Sequence, residues 1–254
     1  PLRVTFPQSY GWTGSYAAMG ALTAHYHREI TGEGQQVDVS AQACLLWAFS
    51  HAHTFWDLNR QLEKRAGSFM TGRSITGARM RVFWPCQDGY LNFIIYGGEA
   101  GRRTNQALVE WMDSKGMAPD FLKQKNWETF DIARVGQEEI DRMEEPIGEF
   151  FRGVTKAEFF KEVVRRQMLG YPVASVKEIF ADPQHEARHF WQIIEHPELK
   201  TSIEYPGGFA KFSNGACQIW RRAPLIGEHN QEIYGQELGM SPSQISELQK
   251  QGVV

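Results

Sequence analysis

The chain has 254 residues, 42% of them apolar, and a formal net charge of −3. That length is enough to bury a sizeable core in one or two domains, and the charge balance excludes a globally basic nucleic-acid or anionic-membrane binder. No window approaches the ~18 to 20 continuous apolar residues of a spanning helix, and the first residues lack a signal-peptide plan, so a cytoplasmic protein without a membrane or nucleic-acid partner is expected.

In chain order, "GWTGSYAAMGALTAHYHREITG" places Gly14, Ala18 and Ala21 on one helical face, with Gly32 and Gly34 set to stop the helix. Small residues at that spacing allow a close neighbour. "QQVDVS" alternates Val37 and Val39 with polar residues and predicts a short strand at 36–39. That strand needs partners from residues before Pro1 or from another chain. Ser40 is a predicted N-cap for one long apolar helix, "AQACLLWAFSHAHTFWDLNRQL", whose composition implies burial nearly all round. His51 and His53, two apart on that helix, point in different directions and suit packing better than a shared metal.

Residues 60–81 change character: Gly67, Gly72 and Gly77 recur among Arg65, Arg73, Arg79 and Arg81. The stretch reads either as a mobile solvated linker or as a loop that closes over a phosphate-bearing ligand. "RVFWPCQDGYLNFIIYGG" predicts a hairpin with its turn at Asp88-Gly89. Helices follow, with capping boxes at Thr155/Glu158 and Ser175/Glu178, an Asp182-Pro183 start, and a last helix opened by Ser241-Pro242. The carboxylates of "QEEIDRMEEPIGE" read as a solvated helix face. Cys44, Cys86 and Cys217 are far apart with no ligand spacing, so reduced thiols and no metal are expected.

No GxGxxG, P-loop, HExxH or GxSxG motif is present, and "YGGEAG" at 96–101 reads as a turn. Residue patterns alone stop at an α/β chain with at least two packing units.

Several blocks, however, resemble the family III CoA-transferases of the CaiB/BaiF type. "GSYAAMGALTAH" is similar to that family's "GxYAAxGxLxAL", and "TGEGQQVDVS" to its "TGxGQxVDVS". "PCQDGYLNFII", "GYPVASVKEIFADPQHEAR" and "RRAPLIGEHNQEIYGQELGMSPSQISELQKQGVV" match further blocks in the family's order. The resemblance implies an α/β fold: part of a Rossmann-like large domain with a linker helix (1–62), a basic loop and small α+β domain (63–200), and a segment returning toward the large domain (201–254). It implies an interlocked dimer, homo- or heteromeric, acting on an acyl-CoA and a carboxylic acid, with coenzyme A as substrate and no covalently bound cofactor. It also implies that the N-terminal half carrying most of the CoA pocket lies outside this chain, which would then be a fragment or one portion of a divided enzyme.

In that family an aspartate attacks the thioester carbonyl to form a mixed anhydride, CoA thiolate attacks next, and the acceptor acid collects CoA from an enzyme thioester. Counting back from Gly14 places that aspartate at Tyr10. A phenol, with an ordinary pKa near ~10, cannot form the anhydride. The resemblance therefore implies no catalytic residue here and a non-catalytic subunit, as in the benzylsuccinate CoA-transferases with their two unlike subunits; an aromatic succinate is the expected substrate. Candidate ligand-binding residues are Ala41, directly after the VDVS segment, and Arg73, Gly77 and Arg79 of the basic loop. The alternatives are an acyl-CoA racemase or epimerase, for which the sequence offers no recognisable His–carboxylate pair, and an interaction subunit that binds no CoA.

Overall fold

The computed structural model describes residues 7–60, 62, 64–72, 74–215 and 217–254. They fall into two compact units, Pro1–Val173 and Ala174–Val254.

The first unit opens with α1 (Gln8–Thr31), which closes on Gly32. Gly32 adopts φ 77°, a left-handed geometry that costs glycine little, and its N–H returns to the Arg28 carbonyl. The close approach allowed by small residues falls on Gly20, where an added Cβ would lie 2.8 Å from a Val37 methyl; the space beside Gly14 is open. Residues 33–40 are irregular. The predicted strand at 36–39 does not form, because no segment among the described residues pairs with it, and Val37 and Val39 flank Gly20 instead.

Ser40 caps as expected, its hydroxyl accepting the Ala43 N–H. The single long helix is in fact two, α2 (Ala41–Ala48) and α3 (Ser50–Asn59), broken where Phe49 leaves helical geometry at φ −110°, ψ 30°. Burial all round is also overturned. Cys44 is buried, but Trp47 is 70% and Leu58 74% exposed, since nothing in the described chain covers these faces.

Within the basic segment, residues 61, 63 and 73 lie outside the described residues. The segment forms a short ladder of β1 (Phe69–Met70) and β2 (Met80–Arg81), and Ser74, Ala78 and Met80 are buried. The hairpin of β3 (Phe83–Cys86) and β4 (Gly89–Asn92) is present with Cys86 opposite Gly89, so the turn is Gln87-Asp88, one residue earlier than predicted. Gly89 starts the return strand at φ 148°, and the Asp88 carboxylate accepts the Lys156 N–H at 2.8 Å. An edge strand, β5 (Tyr171–Pro172), completes the order β3-β4-β5; at an edge, proline removes no needed donor.

Four helices pack around this sheet: α4 (Gly98–Ser114), α5 (Asp120–Lys123), α6 (Gln137–Arg152) and α7 (Lys156–Arg166). "YGGEAG" is the passage into α4, which begins at Gly98. The core joins Trp84, Leu91, Phe93, Trp111, Phe150, Phe151 and Phe159, each worth roughly 1.5–3 kcal/mol of burial. Trp111 and Phe150 meet edge to face at 4.8 Å, and buried Trp84 donates its indole N–H to the Phe93 carbonyl at 2.7 Å.

The second unit holds α8 (Val176–Phe180), α9 (Pro183–Ala187), an antiparallel hairpin of β6 (Trp191–His196) and β7 (Thr201–Pro206), a π-type helix at Gln231–Glu237, and α10 (Pro242–Lys250). Its caps follow local sequence: both capping boxes, at Ser175/Glu178 and Ser241/Gln244, close reciprocally, and Asp182 accepts the Gln184 N–H behind Pro183.

Candidate functional site

Tyr10 stands in the first turn of α1, with its N–H on the Pro7 carbonyl and 79% of its surface exposed. That turn carries no acidic residue. Two residues on, the Trp12 indole donates to the Cys44 carbonyl at 2.8 Å and ties α1 to α2. Ala41, exposed, is the first residue of α2, on the same helix as that contact. Tyr10 and Ala41 therefore belong to one helix pair.

The other candidates lie in the basic segment. Arg73 lies outside the described residues. Gly77 turns at φ 77° after the buried Ser74, and Arg79 follows with its backbone clamped by Gln137, which accepts the Arg79 N–H at 2.7 Å and donates to its carbonyl at 3.0 Å. Among the described residues no hydrogen bond, ion pair or ring contact joins Gly77 or Arg79 to Tyr10 or Ala41.

Arg79 and Arg81 both lay their guanidinium groups over the Phe69 ring, at 4.2 and 4.6 Å. Neither is within ion-pairing distance of a carboxylate among the described residues. Together they rim a cleft of about 320 Å³. Its floor comes from α6, where Asp141, Glu144, Glu145 and Glu149 line it with Arg152, so the cleft is of mixed charge.

The acidic run is a solvated face at Glu138, Glu139, Asp141, Glu145 and Glu149, all exposed, and Glu144 is the exception. It is buried, accepts the Arg81 backbone N–H at 2.5 Å, and is raised above the ordinary carboxylate range, first by burial, with the Arg81 N–H and charge opposing. Sequence carried one signal for this: Glu144 falls four residues from both Ile140 and Gly148, on the helix face that packs inward.

The second unit holds a His–carboxylate pair that the sequence did not announce. His196 Nδ1 lies 2.9 Å from a Glu198 oxygen, the Tyr205 hydroxyl lies 3.0 Å from His196 Nε2, and Glu198 also pairs with Arg222 at 3.1 Å. Arg222 in turn binds both carboxylate oxygens of Glu228, at 2.7 and 2.9 Å. Every polar group here is engaged by a protein partner, which makes it a fastening of the 221–228 segment. Among the described residues no group of three His, Cys, Asp or Glu side chains is placed to hold a metal, and no helix is long and apolar enough to cross a membrane.

A mixed α/β chain with this order of elements matches a CaiB/BaiF family protein from Brucella suis over 93% of its length and 57% of that structure, with a TM-score of 0.65 and 19% identity, a likeness of fold. The family model for CoA-transferase family III matches residues 1–230, and the chain belongs to that family. Among curated relatives it is 29% identical over its whole length to the succinyl-CoA:(R)-benzylsuccinate CoA-transferase subunit BbsE of Thauera aromatica. It is 25% identical over 95% of its length to the formyl-CoA:oxalate CoA-transferase of Streptomyces coelicolor. The chain spans 60% and 58% of the length of these two relatives.

Proposed function

We propose that this chain is the non-catalytic part of a heteromeric family III CoA-transferase that moves CoA between carboxylic acids, with an aryl-substituted succinate as the acceptor class. What supports the reading is Tyr10, an exposed phenol in a helical turn without any acidic residue, at the position to which the resemblance assigns the family's aspartate. A phenol can hydrogen-bond an acyl group but cannot form a carboxylic anhydride with it. Within α1 the first carboxylate after Tyr10 is Glu29, about five turns along the helix. The likeness to BbsE, itself described as a subunit, supports the heteromer and the substrate class.

On this reading an aspartate-bearing family member supplies the nucleophile and covers the exposed apolar faces of α1, α2 and α3, including Leu22, Trp47 and Leu58. Residues 1–62 belong to the large-domain side of the assembly, and the basic segment lends cations to the CoA phosphates. Arg79 and Arg81 suit that role because their guanidinium groups are held on Phe69 with no carboxylate of the described residues within ion-pairing distance, although the α6 carboxylates share their cleft.

The test is CoA transfer from succinyl-CoA to aryl-succinates, with hydroxylamine trapping of acyl-enzyme, for the chain alone and co-expressed with an aspartate-bearing family III chain. The chain alone is expected to be inactive, and Tyr10→Asp alone not to rescue it. The complex is expected to be active, to depend on the partner's aspartate, and to tolerate Tyr10→Phe. Arg79→Glu should weaken CoA retention more than assembly. An acyl or CoA adduct on this chain by itself would overturn the reading.

A further inference from the structure

The second unit contains a cleft of about 510 Å³ between the α9–β6 connection and residues 208–218. That size falls within the range of small-molecule sites. Its construction follows from two glycines. At Gly207 an added Cβ would collide with the Phe190 carbonyl, and at Gly208 with the Cys217 carbonyl, so only glycine lets the chain double back closely enough to form the wall. The wall is then pinned: Gly207 donates its N–H to Phe190 at 2.8 Å, and the Gln192 side-chain oxygen accepts the Ile219 N–H at 3.0 Å.

The chemistry of the lining is one-sided. His185, Arg188, His189 and Lys211 contribute four basic side chains, and no carboxylate lines the cleft. Arg188 and Lys211 make no ion pair among the described residues. This contrasts with the mixed cleft on α6 and with the chain's net charge of −3. The His185 ring is oriented by a 2.9 Å contact from Nδ1 to the Ile179 carbonyl, leaving Nε2 free of that contact, and it packs against Phe190 at 5.0 Å. Two further rings line the space from the loop, Phe209 at 90% and Phe212 at 59% exposure. Exposed phenyl rings are costly to leave against water, and a ligand that covers them while pairing with the neighbouring cations removes that cost and adds charge-assisted hydrogen bonds.

From this juxtaposition we infer that the cleft binds a small anion built on a planar ring, carrying two negative charges: a phosphorylated nucleoside or an aryl dicarboxylate. The ring lies on Phe209 or Phe212, and the charged groups meet Arg188 and Lys211. The site lies wholly within the second unit and does not depend on the role proposed for Tyr10.

Calorimetric titration of the full chain with AMP, phenylsuccinate and inorganic phosphate tests this, with hydrogen exchange over residues 207–218 as the local readout. At least one ring-bearing anion is expected to bind saturably and slow exchange in that segment, with phosphate weaker by about tenfold or more. The double variant Arg188→Glu, Lys211→Glu should weaken that binding by about tenfold or more, and Phe212→Ala should reduce the advantage of the ring over phosphate. Preference for AMP assigns a phosphorylated nucleoside, and preference for phenylsuccinate an aryl dicarboxylate. Phosphate binding as tightly as either, no slowing of exchange in 207–218, or binding unchanged by the double variant would overturn the inference.

Discussion

The Arg81 backbone N–H donates to the buried Glu144 carboxylate at 2.5 Å, joining the basic segment to α6 across 63 positions of sequence. Burial, the largest cause, holds this carboxyl above its ordinary range. A carboxyl raised on folding keeps its proton longer in the native state than in the unfolded chain. Its contribution therefore falls as pH rises from the ordinary carboxylate range through the raised value, and is level on either side. Glu144→Gln retains an oxygen for the Arg81 N–H and should remove this slope in urea unfolding measured across pH. Glu144→Ala leaves the N–H unpaired and should cost about 1–3 kcal/mol. An unaltered slope in Glu144→Gln would place the titration elsewhere.

Ser74 is the second fastening of the same segment. Its buried hydroxyl lies 2.9 Å from the Val135 carbonyl and 3.1 Å from that of Ala133, and accepts the Thr76 N–H at 3.2 Å. Both carbonyls have other donors, Thr76 Oγ1 and the Ile75 N–H, and the Thr76 N–H, which loses its acceptor, belongs to an exposed residue that water can reach. Ser74→Ala should then cost about 1 kcal/mol, the net value of one hydrogen bond. The expected signature is faster hydrogen exchange at 74–80 with little change in the α4 and α7 amides.

What was legible in the sequence was what four or five neighbouring residues decide. Ser40, Ser175 with Glu178, Asp182 before Pro183, and Ser241 with Gln244 all cap where their own side chains reach the next free N–H groups. The ordered family blocks were legible for a different reason, since each is a separate match and the family model spans 1–230. Long-range facts were not. The helical spacing of Glu144 with Ile140 hints at its inward position but not at its partner, the Arg81 N–H 63 positions away, and the failure of 36–39 to become a strand depends on a ladder partner that no local pattern reports. The cleft at 208–218 was illegible because its residues come from two segments more than fifteen positions apart, brought together by Gly207 and Gly208.

Trp12 should govern how α2 is held. Its indole N–H is the donor to the Cys44 carbonyl, and its ring packs near Tyr16 at 5.9 Å. Trp12→Phe keeps an aromatic ring but removes the donor, with an expected loss of about 0.5–1.5 kcal/mol. Exchange at 41–48 should accelerate, while the core around Trp84 and Trp111 stays protected. Equal acceleration in both regions would mean that α1 and α2 unfold only with the whole unit.

The Arg222 network predicts a pH response of the opposite sign to that of Glu144. Glu198 is held below the ordinary carboxylate range, chiefly by its hydrogen bond to His196. Glu228 is lowered by the Leu225 N–H and then by Arg222, and Glu232 by Arg221. Carboxyls depressed on folding give up protons more readily in the native state, so their support is complete above the ordinary carboxylate range and is lost as pH falls through the lowered values. Acidification should therefore loosen residues 221–232 while relieving the charge on Glu144 in the first unit. Arg222→Gln removes the cation shared by Glu198 and Glu228, and should make the 221–232 amides exchange faster at neutral pH and respond less to acid. Hydrogen exchange corrected for intrinsic rates, followed downward from neutral pH, checks this. If acid loosens 221–232 equally in the wild-type chain and in Arg222→Gln, the network does not hold that segment, and the response must come from groups outside it.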